Sequence, residues 1–270
     1  MRHNSTTALN SAMTRTAITE LTGAGALRVA LNLSNDLLVR KADLPGSFAG
    51  LGVEIARHLA TLLHTPPEFV VYESAGAAYA AAERDEWDIA LIARDHARAQ
   101  RVTLTRPYLL LPAAYAVPAC SGIYRNDQVD QQSTRIVVER NSVHDLYLSH
   151  SLEFATIRRV PTFADLLDMA RSSAYVIAAD RHRLERANAP AMHLRLLKER
   201  TMFVEHAIGT PRGRHAAAAL LDAFVHNLLS TKFIEFLLDL HGIGCELTVP
   251  DTHFDSHSLI QSKAQQPADA

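Results

Sequence analysis

The sequence predicts an α/β protein of two lobes, joined by two crossings of the chain. Short apolar runs alternate with helix-like segments over most of the 270 residues. This β-α-β-α order is typical of parallel sheets covered by helices. The order occurs twice with different residues, and the hydrophobic content of 48% is sufficient for one large core or two smaller cores.

The first lobe opens with the β-like run LRVALNL at 27–33. Apolar residues at helical spacing follow at 53–63, then a β-like run at 68–73 and an Ala-rich segment of high helix propensity at 75–84. WDIALIA at 87–93 is almost continuously apolar, as expected for a strand buried on both faces. These segments predict three parallel strands with two helices between them.

The second lobe repeats this pattern. Its β-like runs are at 135–139, 156–160 and 174–179, with one helix starting near Ser142 and another at 161–172. We predict that the chain crosses to this lobe at 109–118 and returns at 201–209. The segments 213–229 and 231–240 then form one or two helices. The predicted domains are a flexible lead (1–25), lobe 1 (26–112 and 207–250), lobe 2 (113–206) and a disordered tail (251–270).

Composition excludes several classes of function. The formal net charge is -2, so we expect neither nucleic-acid binding nor a polybasic membrane patch. Cys120 and Cys245 are too few for a disulfide framework; they either pair in an exported protein or remain two buried free thiols. The N-terminus lacks the apolar core of a secretory signal, and no run approaches the ~18 apolar residues of a membrane span.

Histidine-rich composition raises the question of a metal site. The pair with a suggestive spacing is His253 and His257, an H-x-x-x-H at the start of the polar tail. No Glu follows the first His, as the metalloprotease motif requires, and no third ligand is in view. We therefore expect a solvated segment, no bound metal and no cofactor.

The segment DHARAQRVTLTRPY at 95–108 places several arginines directly after a buried strand. Solvation alone would explain these charges. The sharper hypothesis is a polar ligand at the end of that strand, because ligands of open α/β sheets bind beyond the carboxyl ends of the strands.

At this point the residues resemble a known family. GLGVEIARHLA at 50–60, WDIALIA followed by Arg98 and LTRPY, AYVIAAD ending at Asp180, and FVEHAIGTPRGR at 203–214 are similar, in order and spacing, to motifs of type 2 periplasmic substrate-binding proteins. That group is solute-binding protein family 3 of polar amino acid ABC transporters. VALNLSN, WDIALIARDHARA, NSVHDLYL and EHAIGTPRGR resemble its "transporter substrate-binding domain" subgroup more closely.

The resemblance implies a periplasmic binding protein-like type II fold that closes by hinge bending around a small ligand. It implies an amino acid or related carboxylate as ligand, an ABC transporter permease as partner, no enzymatic activity, a monomer and a periplasmic location, although no signal peptide is visible and a cytoplasmic location stays open. Two alternatives remain: a cyclohexadienyl dehydratase-like enzyme with Glu205 or Asp180 as general acid or base, and a cytosolic ligand sensor domain.

The resemblance places Arg98 against a ligand carboxylate, for which a planar guanidinium is a matching donor. The alternatives are a surface arginine at this position or Arg94 in the same role. Asp95 is expected to shape the loop by bonding its backbone. Asn141 and Ser142 would add donors at a helix N-terminus, although S-V-H-D at 142–145 is also a capping box.

The other candidates carry similar alternatives. Asp180 and Glu205 would receive an ammonium group, or serve as a helix N-cap and as a structural ion-pair partner, respectively. Tyr108 and Tyr115 either stack on the ligand or fill the core near the hinge. A third pair, Asn32 and Asn35, offers amide contacts or forms turns at the end of the first strand.

Overall fold

The computed structural model describes residues 14–23, 25–44, 46–94, 100–172, 174–187, 192–243 and 247–251. Helical residues 14–22 form α1, and the other helices are α2 (Leu51–Leu62), α3 (Ala75–Ala81), α4 (Val143–Ser151), α5 (Phe163–Ala170), α6 (Arg181–Ala187), α7 (His215–Ser230) and α8 (Phe233–Leu240). The strands are β1 (Leu27–Asn32), β2 (Arg40–Lys41), β3 (Phe48–Ala49), β4 (Pro67–Tyr72), β5 (Ile89–Ala93), β6 (Val102–Leu104), β7 (Leu109–Pro118), β8 (Arg135–Glu139), β9 (Thr156–Val160), β10 (Val176–Asp180), β11 (Leu194–Leu196) and β12 (Phe203–Pro211).

The strands form two sheet halves that share β7. In the first half the order is β4-β1-β5-β12-β7, with β1 parallel to β4 and β5, and β12 antiparallel to β5 and β7. In the second half the order is β7-β10-β8-β9, with β8 parallel to β10 and β9. The predicted two-lobed α/β fold class is therefore confirmed.

The two crossings are the long strands β7 and β12. Leu109–Pro112 pair with β12, whereas Ala113–Ala116 pair with β10, so one strand passes from the first half to the second. β12 pairs with β7 at Phe203–His206 and with β5 at His206–Gly209. Both strands lie where the apolar runs at 109–118 and 201–209 predict them. The residue boundaries of the two lobes stay a prediction.

Each half buries apolar residues on both faces of its sheet. In the first half, Leu27, Val29 and Leu31 face helices α2, α7 and α8, whereas Ala30 and Ile92 pack with Trp87 on the other face. In the second half, Val137 and Ile177 face α5 and α6, whereas Ile136 and Val138 face α4. Alternate residues thus reach opposite layers, which explains why these strands are apolar at nearly every position.

The N-terminal part differs from the prediction. Within the segment predicted as a flexible lead, α1 packs through Ala17 and Leu21, which are 1% and 0% exposed. These residues are four apart and so lie on one helix face. Glu20 Oε2 also accepts a hydrogen bond of 2.7 Å from Ala217 N in the first turn of α7. Only Ala17 and Leu21 form the apolar face of this helix, and the surrounding Thr and Ser residues obscure its helical periodicity in the sequence.

Several predicted features lie outside the described residues, namely Asp95, Arg98, Cys245, His253, His257 and nearly all of the predicted tail. Cys120 is exposed, which differs from the alternative of two buried thiols. Its pairing with Cys245 stays untested because Cys245 lies outside the described residues. None of the helices in the described part of the chain is long and apolar enough to cross a membrane.

Candidate functional site

A cavity of about 490 Å³ lies where the two sheet halves meet. It is bounded by residues that end or follow the parallel strands β1, β4, β8 and β9, together with one face of α6. Carboxyl ends of parallel strands and interfaces between halves are the preferred ligand sites of α/β folds. The lining residues are Leu33, Ser34, Asp36, Glu73, Glu139, Pro161, Thr162, Phe163, Ala164, Arg183, Arg186 and Ala187.

Acid–base pairs form the charged wall of this cavity. Arg186 donates to Asp36 Oδ2 at 2.5 Å, and Arg183 donates to Glu139 Oε2 at 3.2 Å. The Arg183 guanidinium also lies 3.8 Å from the centre of the Phe163 ring, a cation–π contact. Both arginines are therefore held by neighbouring acids, and the wall offers both signs of charge to a ligand.

Asp36 connects the two sheet halves. It lies in the loop after β1, whereas Arg186 and His182 lie on α6, which packs on β7 and β10. His182 Nε2 is 3.8 Å from Asp36 Oδ1. His182 contributes most to lowering the pKa of Asp36 below its usual range; burial opposes this shift, and Arg186 and Arg183 add to it. Asp36 is thus a carboxylate at neutral pH.

Asp180, at the end of β10, lies in a buried group of histidines. His144 Nε2 is 3.2 Å from Asp180 Oδ1, close enough for an ion pair, although neither atom has a hydrogen bond of good geometry in the described structure. Burial alone would raise the pKa of Asp180, but His144, His182 and Arg183 lower it below its usual range. Within the described residues, these side chains do not form a metal-binding group.

His206 on β12 belongs to the same buried group. Its side chain has no hydrogen-bond partner at Nδ1 or Nε2 in the described part of the molecule. Burial lowers the pKa of His206 to about 4; the charge of Asp180 opposes this shift, and His182 and His144 add to it. His206 is therefore a neutral imidazole at pH 7.

The N-terminus of α4 uses its own side chains. Ser142 is the N-cap, and its Oγ accepts from Asp145 N at 3.1 Å. Asp145 Oδ2 accepts from Asn141 N at 3.0 Å, while Asp145 Oδ1 accepts from Arg159 at 2.8 Å. In a regular capping box the Asp145 side chain would accept from the backbone N–H of Ser142, whereas here it accepts from that of Asn141. The predicted capping box is therefore present in a modified form, displaced by one residue. Asn141 lies close to Gly76 of the first half, since a Cβ added to Gly76 would be 3.8 Å from the Cβ of Asn141.

The asparagines after β1 form turns. Asn32 Oδ1 accepts from Ser34 N and Oγ at 3.1 and 2.9 Å, and Asn35 Oδ1 accepts from Leu37 N at 3.2 Å. This favours the turn-forming alternative for both, with Asn35 buried. Their turns fix the loop that carries Asp36.

An ion pair accounts for Glu205, and packing in the core accounts for the two candidate tyrosines. Glu205 Oε2 is 3.4 Å from Arg94 Nε, the ion pair expected for a carboxylate in an apolar strand. Tyr108 and Tyr115 are 0% and 6% exposed, and they lie in the cores of the first and second halves. Burial raises the pKa of both phenols above the usual value. These positions favour the packing alternative for the tyrosines.

The sequence analysis missed several residues of the site. Asp36, Glu139, Arg183 and Arg186 line the cavity without having been candidates. A signal was present in DRHRLER, where Arg183 and Arg186 are three residues apart and so share one helix face. No sequence motif marks Asp36 or His206 as a functional residue. They are the chain neighbours of the candidates Asn35 and Glu205, respectively.

A second depression, of about 550 Å³, lies at the opposite end of β4. It is lined by Arg57, Ala60, Thr61, His64, Thr65, Pro66 and Pro67. Arg57 is already bonded to Glu54 at 2.9 Å and to the Phe48 carbonyl. The two cavities have similar volumes, so volume does not distinguish them as candidate functional sites. We take the cavity between the halves as the candidate because it lies at the carboxyl ends of parallel strands and has charged side chains in its wall.

The architecture is that of a two-lobed α/β protein with a charged cavity between its halves. Comparison with known proteins identifies the family. The sequence model of "Bacterial extracellular solute-binding proteins, family 3" matches residues 27–237, and the chain belongs to this family. No curated protein matches the chain.

Solved structures share the fold. A mutant of ArgBP from T. maritima is 16% identical, with a TM-score of 0.70, 83% of this chain covered and 98% of that chain. An amino acid ABC transporter substrate-binding protein from Streptococcus pneumoniae, bound to L-arginine, is 16% identical with a TM-score of 0.68 and coverages of 81% and 95%. The ancestral amino acid-binding protein AncCDT-1, a precursor of cyclohexadienyl dehydratase, is 15% identical with a TM-score of 0.70 and coverages of 83% and 97%.

Proposed function

We propose that this protein captures a small zwitterionic solute, an amino acid or a related carboxylate, between its two halves. The observation that carries the proposal is the cavity of about 490 Å³ at the carboxyl ends of strands from both halves, with carboxylates and guanidinium groups in its wall. The similarity to an ancestral amino acid-binding protein and to a substrate-binding protein bound to L-arginine supports the same class of ligand. Binding would bring the halves together by bending at the two crossing strands.

In this proposal Arg98 holds the ligand carboxylate, by resemblance to the family motif, and Asp180 receives the amine. We favour Asp180 over Glu205 as the amine acceptor because Asp180 directly precedes α6, whose Arg183 lines the cavity. Asn141 and Ser142 stand at the α4 N-terminus, where the N–H groups of Asn141 and Asp145 already have acceptors. We therefore expect them to shape this end of the site more than to bind the carboxylate.

A ligand panel tests the proposal. We expect one or more of the twenty L-amino acids, or of their carboxylic acid analogues, to raise the melting temperature, since a ligand at 100 times its Kd stabilises the fold by about 2.7 kcal/mol. Calorimetry then gives the Kd of each hit. A panel without any shift would contradict solute capture of this class.

Arg98→Ala tests the carboxylate contact. We expect at least a 100-fold loss of affinity, because removing one partner of a charge-assisted pair commonly costs 3 kcal/mol or more (about 100-fold). The matched control is Arg101→Ala, whose exposed side chain pairs with Glu83 at 2.9 Å. Equal affinity of both variants and the wild type would remove Arg98 from the site.

The further proposal is that the protein delivers its ligand to an ABC transporter permease from outside the cytoplasm. Family membership supports this role. The rival activity is a cyclohexadienyl dehydratase-like elimination, favoured by the similarity to AncCDT-1 and by the buried pair of His144 and Asp180. Turnover of prephenate or arogenate by the purified protein would replace the binding role with the enzymatic one.

A further inference from the structure

Two neighbouring helices of the first half carry large apolar side chains on their outer surface. Phe236 and Leu240 on α8 and Leu62 at the end of α2 are 57%, 63% and 55% exposed within the described structure. Ile234 and Leu237 of the same helix α8 are buried, so this helix is apolar on two faces and only one of them reaches the core. Exposed apolar residues that stand singly are normal, whereas contiguous ones mark interaction sites.

Ring contacts join these residues into one surface. The ring centroids of Phe233 and Phe236 are 6.1 Å apart, and Phe233 stacks on His58 of α2 at 4.6 Å. Leu240 follows Phe236 by four residues and Leu62 follows His58 by four, so each shares a helix face with the residue before it. The surface formed by Leu62, His58, Phe233, Phe236 and Leu240 is called the α2–α8 face below.

Two charged side chains border the α2–α8 face at the ends of α8. Lys232 is the N-cap of this helix and Asp239 lies in its last turn, and both are exposed. The helix dipole favours acidic side chains at the N-terminus and basic ones at the C-terminus, which is the reverse of this arrangement. Within the described residues neither side chain makes an ion pair. The helix itself therefore gives no favourable interaction to either charge.

A second copy of the same helix supplies the missing interactions. Lys232 and Asp239 are seven residues, or about two turns, apart, and Phe236 lies between them. If two copies of α8 pack antiparallel about a two-fold axis close to Phe236, Lys232 of each copy faces Asp239 of the other. Such an isologous contact is self-complementary, and it is the usual contact of a homodimer. Parallel packing would instead bring like charges together.

We propose that this protein forms a homodimer through the α2–α8 face, with α8 packed antiparallel against α8 of a second copy. The contact surface is small, so the dimer is weak and its population depends on protein concentration. None of the residues of the face lines the cavity between the halves, so the cavity stays accessible in the dimer. The inference goes beyond the proposed function and departs from the monomer that the family resemblance implies.

Sedimentation equilibrium of the full chain measures the association. Loading concentrations from about 1 μM to about 500 μM cover the affinities of small, transient interfaces. We expect the average mass to rise from that of a monomer towards that of a dimer. Phe236→Ser should weaken the association at least about 30-fold, because an aromatic residue at the centre of an interface is a typical hot spot. The matched control is Phe154→Ser, at a phenylalanine of the second half that is 54% exposed, and it should associate like the wild type.

A charge exchange tests whether the occupant of the face is a second copy. Lys232→Asp places two acidic side chains opposite each other in the dimer, and Asp239→Lys places two basic ones opposite each other. Each variant alone should therefore associate more weakly than the wild type. In a mixture of the two variants both contacts again join opposite charges, so a heterodimer should form at concentrations at which neither variant dimerises alone. A mixture that associates no better than its components overturns the antiparallel arrangement.

The remaining outcomes are also decisive. A wild-type protein that stays monomeric over the whole range overturns the proposal, whether the residues beyond Asp251 or a different protein cover the face. Equal weakening by Phe236→Ser and Phe154→Ser would overturn it as well, since the contact would not be specific to α8. Affinity for any ligand found in the amino acid panel should be the same for Phe236→Ser and the wild type, so failure of the dimer is distinguishable from failure of solute capture.

Discussion

At the scale of the single residue, His206 is both buried and, within the described part of the chain, without hydrogen bonds from its ring, and each of these features costs free energy. Its ring is 4% exposed, and both ring nitrogens lack a hydrogen-bond partner in the described residues. Its neighbours on other elements are Asp180 on β10, His182 on α6 and His144 on α4. Protonating His206 inside the fold would bury a cationic charge whose N–H groups lack hydrogen-bond partners in the described residues, and this would lower the stability of the fold.

The first prediction concerns pH. The folded pKa of about 4 lies below the ordinary value of 6.5, so the unfolded chain binds more protons between these values. The stabilisation from this residue is fully present above pH 6.5 and is lost as the pH falls towards 4. We expect the free energy of unfolding, measured by urea denaturation from pH 7.5 to 4.5, to fall more steeply for the wild type than for His206→Leu.

The control for this series is His150→Asn, whose exposed ring should leave the slope unchanged. Parallel curves for the wild type and His206→Leu would mean that His206 titrates alike in the folded and unfolded states.

Residue roles were partly predictable. Ser142 and Asn35 have local signatures, since a cap or a turn depends on neighbours within three residues, and both make such bonds here. Asp36 and Arg186 are 150 positions apart, and their contact exists only because the loop after β1 faces α6. No local pattern predicts a pair of this kind.

At the scale of the element, the apolar strands were the most predictable part. β8 has the predicted bounds and β7 has those of the predicted crossing, because a buried strand is apolar at nearly every position. β9 also has the predicted bounds, although it is an edge strand with exposed residues. The strands β2, β3, β6 and β11 have two or three residues each, too few for any periodicity. Their pairing depends on neighbours that are distant in sequence.

The second prediction tests the unexpected helix α1. Glu20 accepts from the first-turn N–H of Ala217 in α7 at 2.7 Å, and the Glu20 carbonyl accepts from Arg214 at 2.7 Å. Since the first turn of a helix has unpaired donors, losing this carboxylate resembles losing a cap. We expect Glu20→Ala to lower the free energy of unfolding by about 1 kcal/mol in chemical denaturation.

The comparison variant is Glu68→Ala, at an exposed position of β4. If Glu20→Ala were as stable as Glu68→Ala, the contact between α1 and α7 would not contribute to folding.

At the scale of the whole molecule, the pair of Asp36 and Arg186 joins the two halves across the cavity. Their side chains are 45% and 69% exposed, so the pair contributes little free energy and is screened by salt. A weak contact of this kind suits a closing motion, because it stabilises the joined arrangement without preventing its opening.

The third prediction uses a charge exchange. We expect Asp36→Arg and Arg186→Asp each to speed ligand dissociation about 2- to 5-fold at low salt, which corresponds to 0.4–1 kcal/mol, typical of an exposed pair. The double variant should restore the wild-type rate, as measured by stopped-flow fluorescence. Rescue would show that the pair acts between the halves; a ligand contact by Asp36 would not be rescued.

The low-salt comparison has a control within one half. Arg84→Gln removes the exposed contact with Glu86 at 2.5 Å, which lies close to α3 and does not span the cavity. This variant should keep the wild-type dissociation rate.

The position of β12 also sets an order of events during synthesis. In the first half it lies between β5 and β7, yet it is translated after every strand of the second half. On the ribosome, β8, β9 and β10 can assemble on β7 as a contiguous stretch, and β1, β4 and β5 can pair with one another. Within the first half, however, β5 waits for its other neighbour, β12, which lies more than a hundred residues downstream. Because contacts between distant residues form slowly, we expect the nascent chain to complete its later-made half before its earlier-made one, so that the cavity between the halves closes only after β12 has been translated.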